Sequence, residues 1–224
     1  MTKSVSVTIG DVELELFAKR AAFSKTHAAL FIADPHFGKE ATFRRGGIPV
    51  PQGSTDGTLD TIAQLLSETK ANKLIILGDM FHARSSLSDD VRESLGRFFE
   101  THHDVEHILI RGNHDAHVGQ LPASWPIKIR EPGERLGSIV LNHHPSKVPV
   151  DAAALFCGHL HPAIRFSVGG ESTGKLPCFW LSSGCLVFPA IGEFTGTHVI
   201  QPTSNDQVWA IADDQIFGCS PVSA

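Results

Sequence analysis

Three short, largely apolar runs limit what this chain can become. Residues 28–33 (Ala-Ala-Leu-Phe-Ile-Ala), 73–77 (Lys-Leu-Ile-Ile-Leu) and 105–110 (Val-Glu-His-Ile-Leu-Ile) lack the alternation of a strand with one wet face. They read as strands buried within a sheet, the first of them on both faces. Between the first and second, Leu59, Ile62, Leu65 and Leu66 recur at helical spacing from Thr58 onward. Between the second and third, Val91, Leu95, Phe98 and Phe99 form another such stripe. Ser88 precedes it as a candidate N-cap, with Asp89 and Asp90 suited to the positive end of a helix.

The rest of the chain is mostly strand. Val5, Val7 and Ile9, then Val12, Leu14 and Leu16, alternate about a turn at Gly10-Asp11. Further strands are expected near 137–142, 153–157, 162–168, 176–182, 197–201 and 207–212. Residues 39–57, rich in Gly, Pro and polar side chains, read as one long loop, a length that in a compact domain is usually functional or disordered. The order predicts an α/β core merging into a second sheet, a single layered domain over residues 1–224.

Composition excludes some alternatives. No apolar run approaches the roughly 18 residues of a membrane span, and the N-terminus lacks the continuous apolar core of a signal peptide, so the expected compartment is the cytoplasm. Cys157, Cys178, Cys185 and Cys219 show no C-x-x-C spacing and read as reduced core residues. The net charge of −5 argues against a broad nucleic-acid-coating surface, though not against a local basic path.

Each of the three runs stops at a polar cluster: Asp34-x-His36, Gly78-Asp79-x-x-His82 and Gly112-Asn113-His114-Asp115. Two more clusters follow later strands, Asn142-His143-His144 and Gly158-His159-Leu160-His161. Ligands of open α/β sheets collect beyond the carboxyl ends of the strands, so these clusters should converge. Carboxylate, amide and imidazole donors without thiolate suit two divalent ions: Mn2+ is the expectation, with Fe, Zn, Co or Ni also accommodated. Two ions roughly 3.5–4 Å apart could hold a hydroxide for attack at phosphorus, which makes hydrolysis the implied chemistry. The glycines before Asp79, Asn113 and His159 would let the backbone turn sharply into the cleft.

These residues resemble the calcineurin-like metallophosphoesterase superfamily, whose pattern is D-x-H, G-D-x-x-(D/H), G-N-H-(D/E), a single His after a strand, then G-H-x-H. All five elements occur in order across residues 34–161. The resemblance implies a four-layer α/β/β/α sandwich with two mixed sheets. It places one metal on Asp34, His36, Asp79 and His161, and a second on the same Asp79 with Asn113, His143 and His159. His114 would stabilise the transition state or protonate the leaving oxygen, oriented by Asp115 or Asp34. The fourth element is usually His-Gly; here it is His143-His144, so either could be the ligand. His82, in place of a frequent acidic residue, and His144 are expected around the ligands rather than among them.

The resemblance extends to 33–39, 78–84, 176–181 and 192–196, and there the chain is similar to bacterial ligase-associated DNA-damage-response endonucleases of the PdeM type. That implies a DNA phosphodiester substrate and a repair DNA ligase or helicase as partner. Arg44, Arg45, Arg84 and Arg111 are candidate phosphate contacts. Phe37 and Phe43 could stack on a base, or anchor the loop. His27, His102, His103, His107, His117 and His198 read as ordinary surface residues. A small nucleotide or lipid-precursor phosphoester is the alternative substrate, and a non-catalytic metal-bearing scaffold for repair partners the alternative from another class. The helical HD-type phosphohydrolases, the cysteine phosphatases and the serine hydrolases lack support in the residue pattern.

Overall fold

The computed structural model describes residues 3–45, 47, 53–168, 171–193 and 195–219, without the side chains of Arg44, Arg45, Arg84, 166–168 and 171–173. In chain order the elements are β1 (Ser4–Ile9), β2 (Val12–Phe17), β3 (Ala21–Ser24), β4 (Ala29–Ile32), α1 (Lys39–Arg45), α2 (Ser54–Thr69), β5 (Lys73–Ile76), α3 (Asp89–Thr101), β6 (Glu106–Ile110) and β7 (Ile127–Arg130). There follow β8 (Glu134–Leu136), β9 (Ile139–Leu141), β10 (Ala154–Cys157), β11 (Pro162–Val168), β12 (Glu171–Ser182), β13 (Cys185–Val187), β14 (His198–Val199), β15 (Gln207–Ala212) and β16 (Gln215–Cys219). Single 3-10 turns lie at Arg84–Ser86 and Asp115–His117.

The first sheet runs β1 to β7 in sequence order. Its first four strands are antiparallel, whereas β4, β5, β6 and β7 are parallel neighbours. The second sheet runs β14-β11-β12-β13-β10-β9-β8, with the β15–β16 hairpin joined through β12. Within it β9, β10 and β13 are mutually parallel. Both sheets are mixed, as expected.

Alternation along the buried strands builds two cores. Leu30 and Ile32 of β4, Leu74 and Ile76 of β5 and Leu109 of β6 face Leu59, Ile62 and Leu65 of α2 and Val91, Leu95, Phe98 and Phe99 of α3. Ala29, Phe31, Ile75 and Ile110 face the other way, onto Phe156, Phe179, Leu186 and Phe188 of the second sheet. Phe31 meets Phe156 edge to face at 5.2 Å, and Phe188 packs on Phe179 at 5.3 Å. β4 is therefore apolar on both faces because each face closes a different core.

At several points the elements differ in detail from the expectation. The outer face of the second sheet, at Val140, Leu155, Cys157 and Val187, is covered by Val148 and Ala152 of a connection, and among the described residues no helix follows position 117. Pro145 and Pro149 in that connection each lack an N–H, which disfavours a helix there. The segment 39–57 is not one loop: α1 occupies Lys39–Arg45 and α2 begins at Ser54, while 46 and 48–52 lie outside the described residues. Ser88 is the N-cap of α3, but its hydroxyl makes no capping bond.

The cysteines are free, with Cys157, Cys178 and Cys185 buried. No helix among the described residues is long and apolar enough to cross a membrane. His107 is not on the surface. It is 1% exposed against Phe98 and Phe99, and neither ring nitrogen has a partner. Burial, reinforced by His102, lowers its pKa to about 4 from 6.5.

Above pH ~6.5 this imidazole is neutral in both folded and unfolded chains. As pH falls toward 4 only the unfolded chain gains the proton, so stability falls, and below that the loss is complete. We expect His107→Leu to remove on the order of 3 kcal/mol of the pH 7-to-4 stability decrease. Urea melts of both proteins across that range measure it; parallel pH profiles would contradict the assignment.

Candidate metal centre

The polar clusters meet at one edge of the molecule because their strands are parallel. Asp34, Asp79 and Asn113 follow β4, β5 and β6, adjacent in the first sheet; His143 and His159 follow β9 and β10, adjacent in the second. The loops after β4 and β5 stay paired beyond the sheet. Asp34 N donates to the Gly78 carbonyl at 3.3 Å, His36 N to Asp79 O at 3.1 Å, and Phe37 N to Met80 O at 2.9 Å. Two bonds then cross between sheets: His159 N donates to Asp34 Oδ2 at 2.9 Å, and His143 Nδ1 to the Leu77 carbonyl at 3.0 Å.

This convergence strains the backbone. Asp34, His36, Asp79, His159 and His161 all have positive φ, between 46° and 70°. Each such residue costs roughly 1–2 kcal/mol, so packing elsewhere must hold the conformation. Only one of the three glycines expected to turn the chain does so in the left-handed region, Gly78 at φ 87°. Closeness is the shared reason. A Cβ on Gly78 would lie 2.1 Å from His143 Nδ1, on Gly112 2.3 Å from Asp79 N, and on Gly158 2.4 Å from Asp34 Oδ2.

The acceptor atoms gather in two groups. In one, His161 Nε2 stands 3.5 Å from Asp34 Oδ1 and 3.4 Å from His36 Nε2. His161 Nδ1 donates to the Gly196 carbonyl, so Nε2 is left as the free lone pair. In the other, His143 Nε2 lies 3.0 Å from Asn113 Oδ1 and 3.4 Å from Asp79 Oδ1, its Nδ1 proton being committed to Leu77. Donors about 2.1 Å from a common ion stand roughly 3.0–3.4 Å apart, so both groups have the spacing a cation would impose. Asp34 Oδ1 and His36 Nδ1 are buried without hydrogen-bond partners. The Asp34, His36 and His161 set, and the Asp79, Asn113 and His143 set, therefore have spacing that fits divalent ions.

Protonation follows from the same crowding. Burial drives the pKa of His36 down to about 3, against the pull of Asp79. Burial opposes ionisation of Asp79, but its contacts with His143 and the His114 amide outweigh it and bring its pKa to about 2. For His143 burial acts downward, yet Asp79 and Asp34 push its pKa up. A proton on His143 does what a metal ion would do: it places positive charge among acceptors.

His114 lies beside these groups with its side chain 38% exposed. Its Nδ1 donates to the His82 carbonyl at 2.7 Å, leaving Nε2 3.8 Å from Asp79 Oδ2. Asp115 does not orient that ring: its oxygens accept from Phe81 N at 3.2 Å and Gly112 N at 2.9 Å, stapling two loops together. Nor does Asp34, whose close contacts are His143, His159 and His161. The orienting group is the backbone carbonyl of His82. The His82 ring stacks on His114 at 5.0 Å and meets His36 edge-on at 5.6 Å.

Between the two histidines of the fourth cluster, His143 is fully buried and faces Asp79 and Asn113, whereas His144 is exposed and lies over His159 at 4.1 Å. Arg111 is partly exposed and paired with Glu131 at 2.9 Å, not directed at the acceptors. The side chains of Arg44, Arg45 and Arg84 lie outside the described residues. Phe37 is a core residue packed against Phe81, and Phe43 sits beneath Lys39.

Lys39 is a site residue that the residue pattern did not single out. Its half-buried ammonium lies 5.9 Å from the Phe43 ring centroid, is attracted by Asp34, and lowers the pKa of both His36 and His82. Its position three residues beyond His36, at the start of α1, was the available signal, hidden while the segment read as loop.

A family model described as calcineurin-like phosphoesterase matches residues 28–161. The nuclease MPE of Pseudomonas putida is 29% identical, over 97% of this chain and 100% of its own, with a TM-score of 0.84. The phosphoesterase Yfce from E. coli is 18% identical over 86% of this chain and 98% of its own, with a TM-score of 0.42. A search of the curated proteins finds no match.

Gly78→Ala should lose both conformational freedom and the space occupied by His143, at a cost above about 2 kcal/mol. Urea denaturation and Mn2+ titration would register it as a lower midpoint and weaker ion binding. A variant with native values for both would show that His143 can move aside.

Proposed function

This chain belongs to the calcineurin-like phosphoesterase family, a hydrolase of phosphoester bonds, and from that premise we propose that it is a two-metal DNA phosphodiesterase acting in repair. The observation that carries the reading is the convergence of Asp34, His36, Asp79, Asn113, His143, His159 and His161 on one cleft from five strand ends. Similarity to a nuclease along the whole length supports a polynucleotide substrate. So does the openness of the site, since Asn113 and His144 are exposed.

Asp34, His36, Asp79 and His161 would hold one ion, and Asp79, Asn113, His143 and His159 the other, with Mn2+ the expected metal. The ions, when bound, supply an activated water and positive charge against the phosphoryl oxygens. The residues supply orientation. Leu77 and Gly196 carbonyls fix the tautomers of His143 and His161, so each presents Nε2 to the cleft. The His82 carbonyl does the same for His114, which can hydrogen-bond the phosphoryl or leaving oxygen through Nε2. Asp115 is a positioning residue for the loops that carry Asp79 and Asn113. A cytoplasmic setting and a DNA ligase or helicase partner belong to the same proposal.

A small nucleotide or lipid-precursor phosphoester is the second reading, favoured by the net charge of −5 and by the Glu131 pairing of Arg111. Incubation with closed single-stranded and duplex DNA circles in Mn2+ separates the two. We expect nicking by the native protein and a loss of about 100-fold or more with His114→Ala, whose fold should be intact. Intact circles beside rapid hydrolysis of a generic phosphodiester would move the substrate to the small-molecule class. No hydrolysis of either would leave a metal-bearing scaffold.

Asn113→Ala should reduce turnover by a similar factor, because one acceptor facing His143 Nε2 is removed. Steady-state rates at saturating Mn2+ test this, and unchanged rates would remove Asn113 from the proposed ligand set.

A further inference from the structure

His144 has no assigned task in the two-ion arrangement, yet its ring completes a cluster of its own. It lies 4.1 Å from the His159 ring and 4.7 Å from the His143 ring, and those two are 5.0 Å apart. One nitrogen from each of the three comes within 4.8 Å of the other two, a group distinct from Asp34–His36–His161. The His143 ring is fixed by Leu77, and among the described residues neither the His144 nor the His159 side chain has a hydrogen-bond partner. Their nitrogens are thus uncommitted. Exposure increases from His143, buried, through His159, intermediate, to His144, exposed, so the cluster forms a short path from the solvent to Asp79.

The geometry points to His144 as an additional metal-ligating residue at the second position, giving that position a face of three imidazoles. The inference rests on the two-ion reading above and adds a metal preference to it. The first position offers two carboxylates, Asp34 and Asp79, with two imidazoles, a set that suits Mn2+. The second, with His143, His144 and His159 beside Asp79 and Asn113, is richer in nitrogen and favours ions that prefer imidazole, zinc above all. The two positions are therefore chemically unequal, and the exposed His144 is the ligand that an arriving ion meets first.

The test is calorimetric titration of metal-free protein with Zn2+ and, separately, Mn2+, for native, His144→Ala and His159→Ala chains. The exposed position of His144 makes its truncation tolerable to the fold, which circular dichroism would verify. We expect His144→Ala to weaken one Zn2+ equivalent by about tenfold or more while Mn2+ affinity changes by less than about threefold. His159→Ala should weaken one equivalent of both ions. Native Zn2+ affinity in His144→Ala, with a loss in His159→Ala, overturns the role of His144 and leaves the two-ion reading standing. Native affinities in both variants overturn the second metal position itself, and this inference with it.

Discussion

The approach of two sheets at a common edge is the constraint on which the rest of the structure depends. Asp34, at the end of a strand in one sheet, accepts a hydrogen bond from the backbone of His159 in the other. His143 returns the contact by donating to Leu77 of the first sheet. These bonds bring carboxylates, an amide and imidazoles from separate elements to within 3.0–3.5 Å of one another. Such crowding of acceptors is unfavourable without positive charge among them, and it tolerates no Cβ on Gly78, Gly112 or Gly158.

The cores on either side of the first sheet hold that geometry. Phe31 and Phe156 lock the two sheets face to face, while Leu30, Ile32, Leu74 and Ile76 anchor the opposite face to the helices. Fully burying a side chain of this size is worth about 1.5–3 kcal/mol. Several such contacts together exceed the backbone strain of the five site residues with positive φ. Backbone carbonyls then act as orienting groups. Leu77, His82 and Gly196 each take a proton from Nδ1 of a site histidine, which turns Nε2 toward the cleft.

Much of this was legible in the residues, for reasons that also explain the omissions. The runs ending at Asp34, Asp79 and Asn113 were readable because strands covered on both faces must be continuously apolar. The short strands β3, β7, β8, β13 and β16 were not, since runs of three to five residues carry too little periodicity. α1 was concealed by its flanking glycines, and with it the placement of Lys39. His107 read as surface because a histidine between Glu106 and Ile108 carries no local sign that Phe98 and Phe99 will cover it.

The sequence by itself determined the candidate donor groups and the strand ends that carry them, because ligand chemistry resides in residue type and parallel strands end on one side. Only the tertiary structure buried His143 against Asp79 and Asn113 while leaving His144 exposed, gave the orienting of His114 to the His82 carbonyl, and made Asp115 a staple between loops. These outcomes depend on which backbone groups from distant segments come within about 3 Å, a distance at which hydrogen bonds form and which no local pattern encodes.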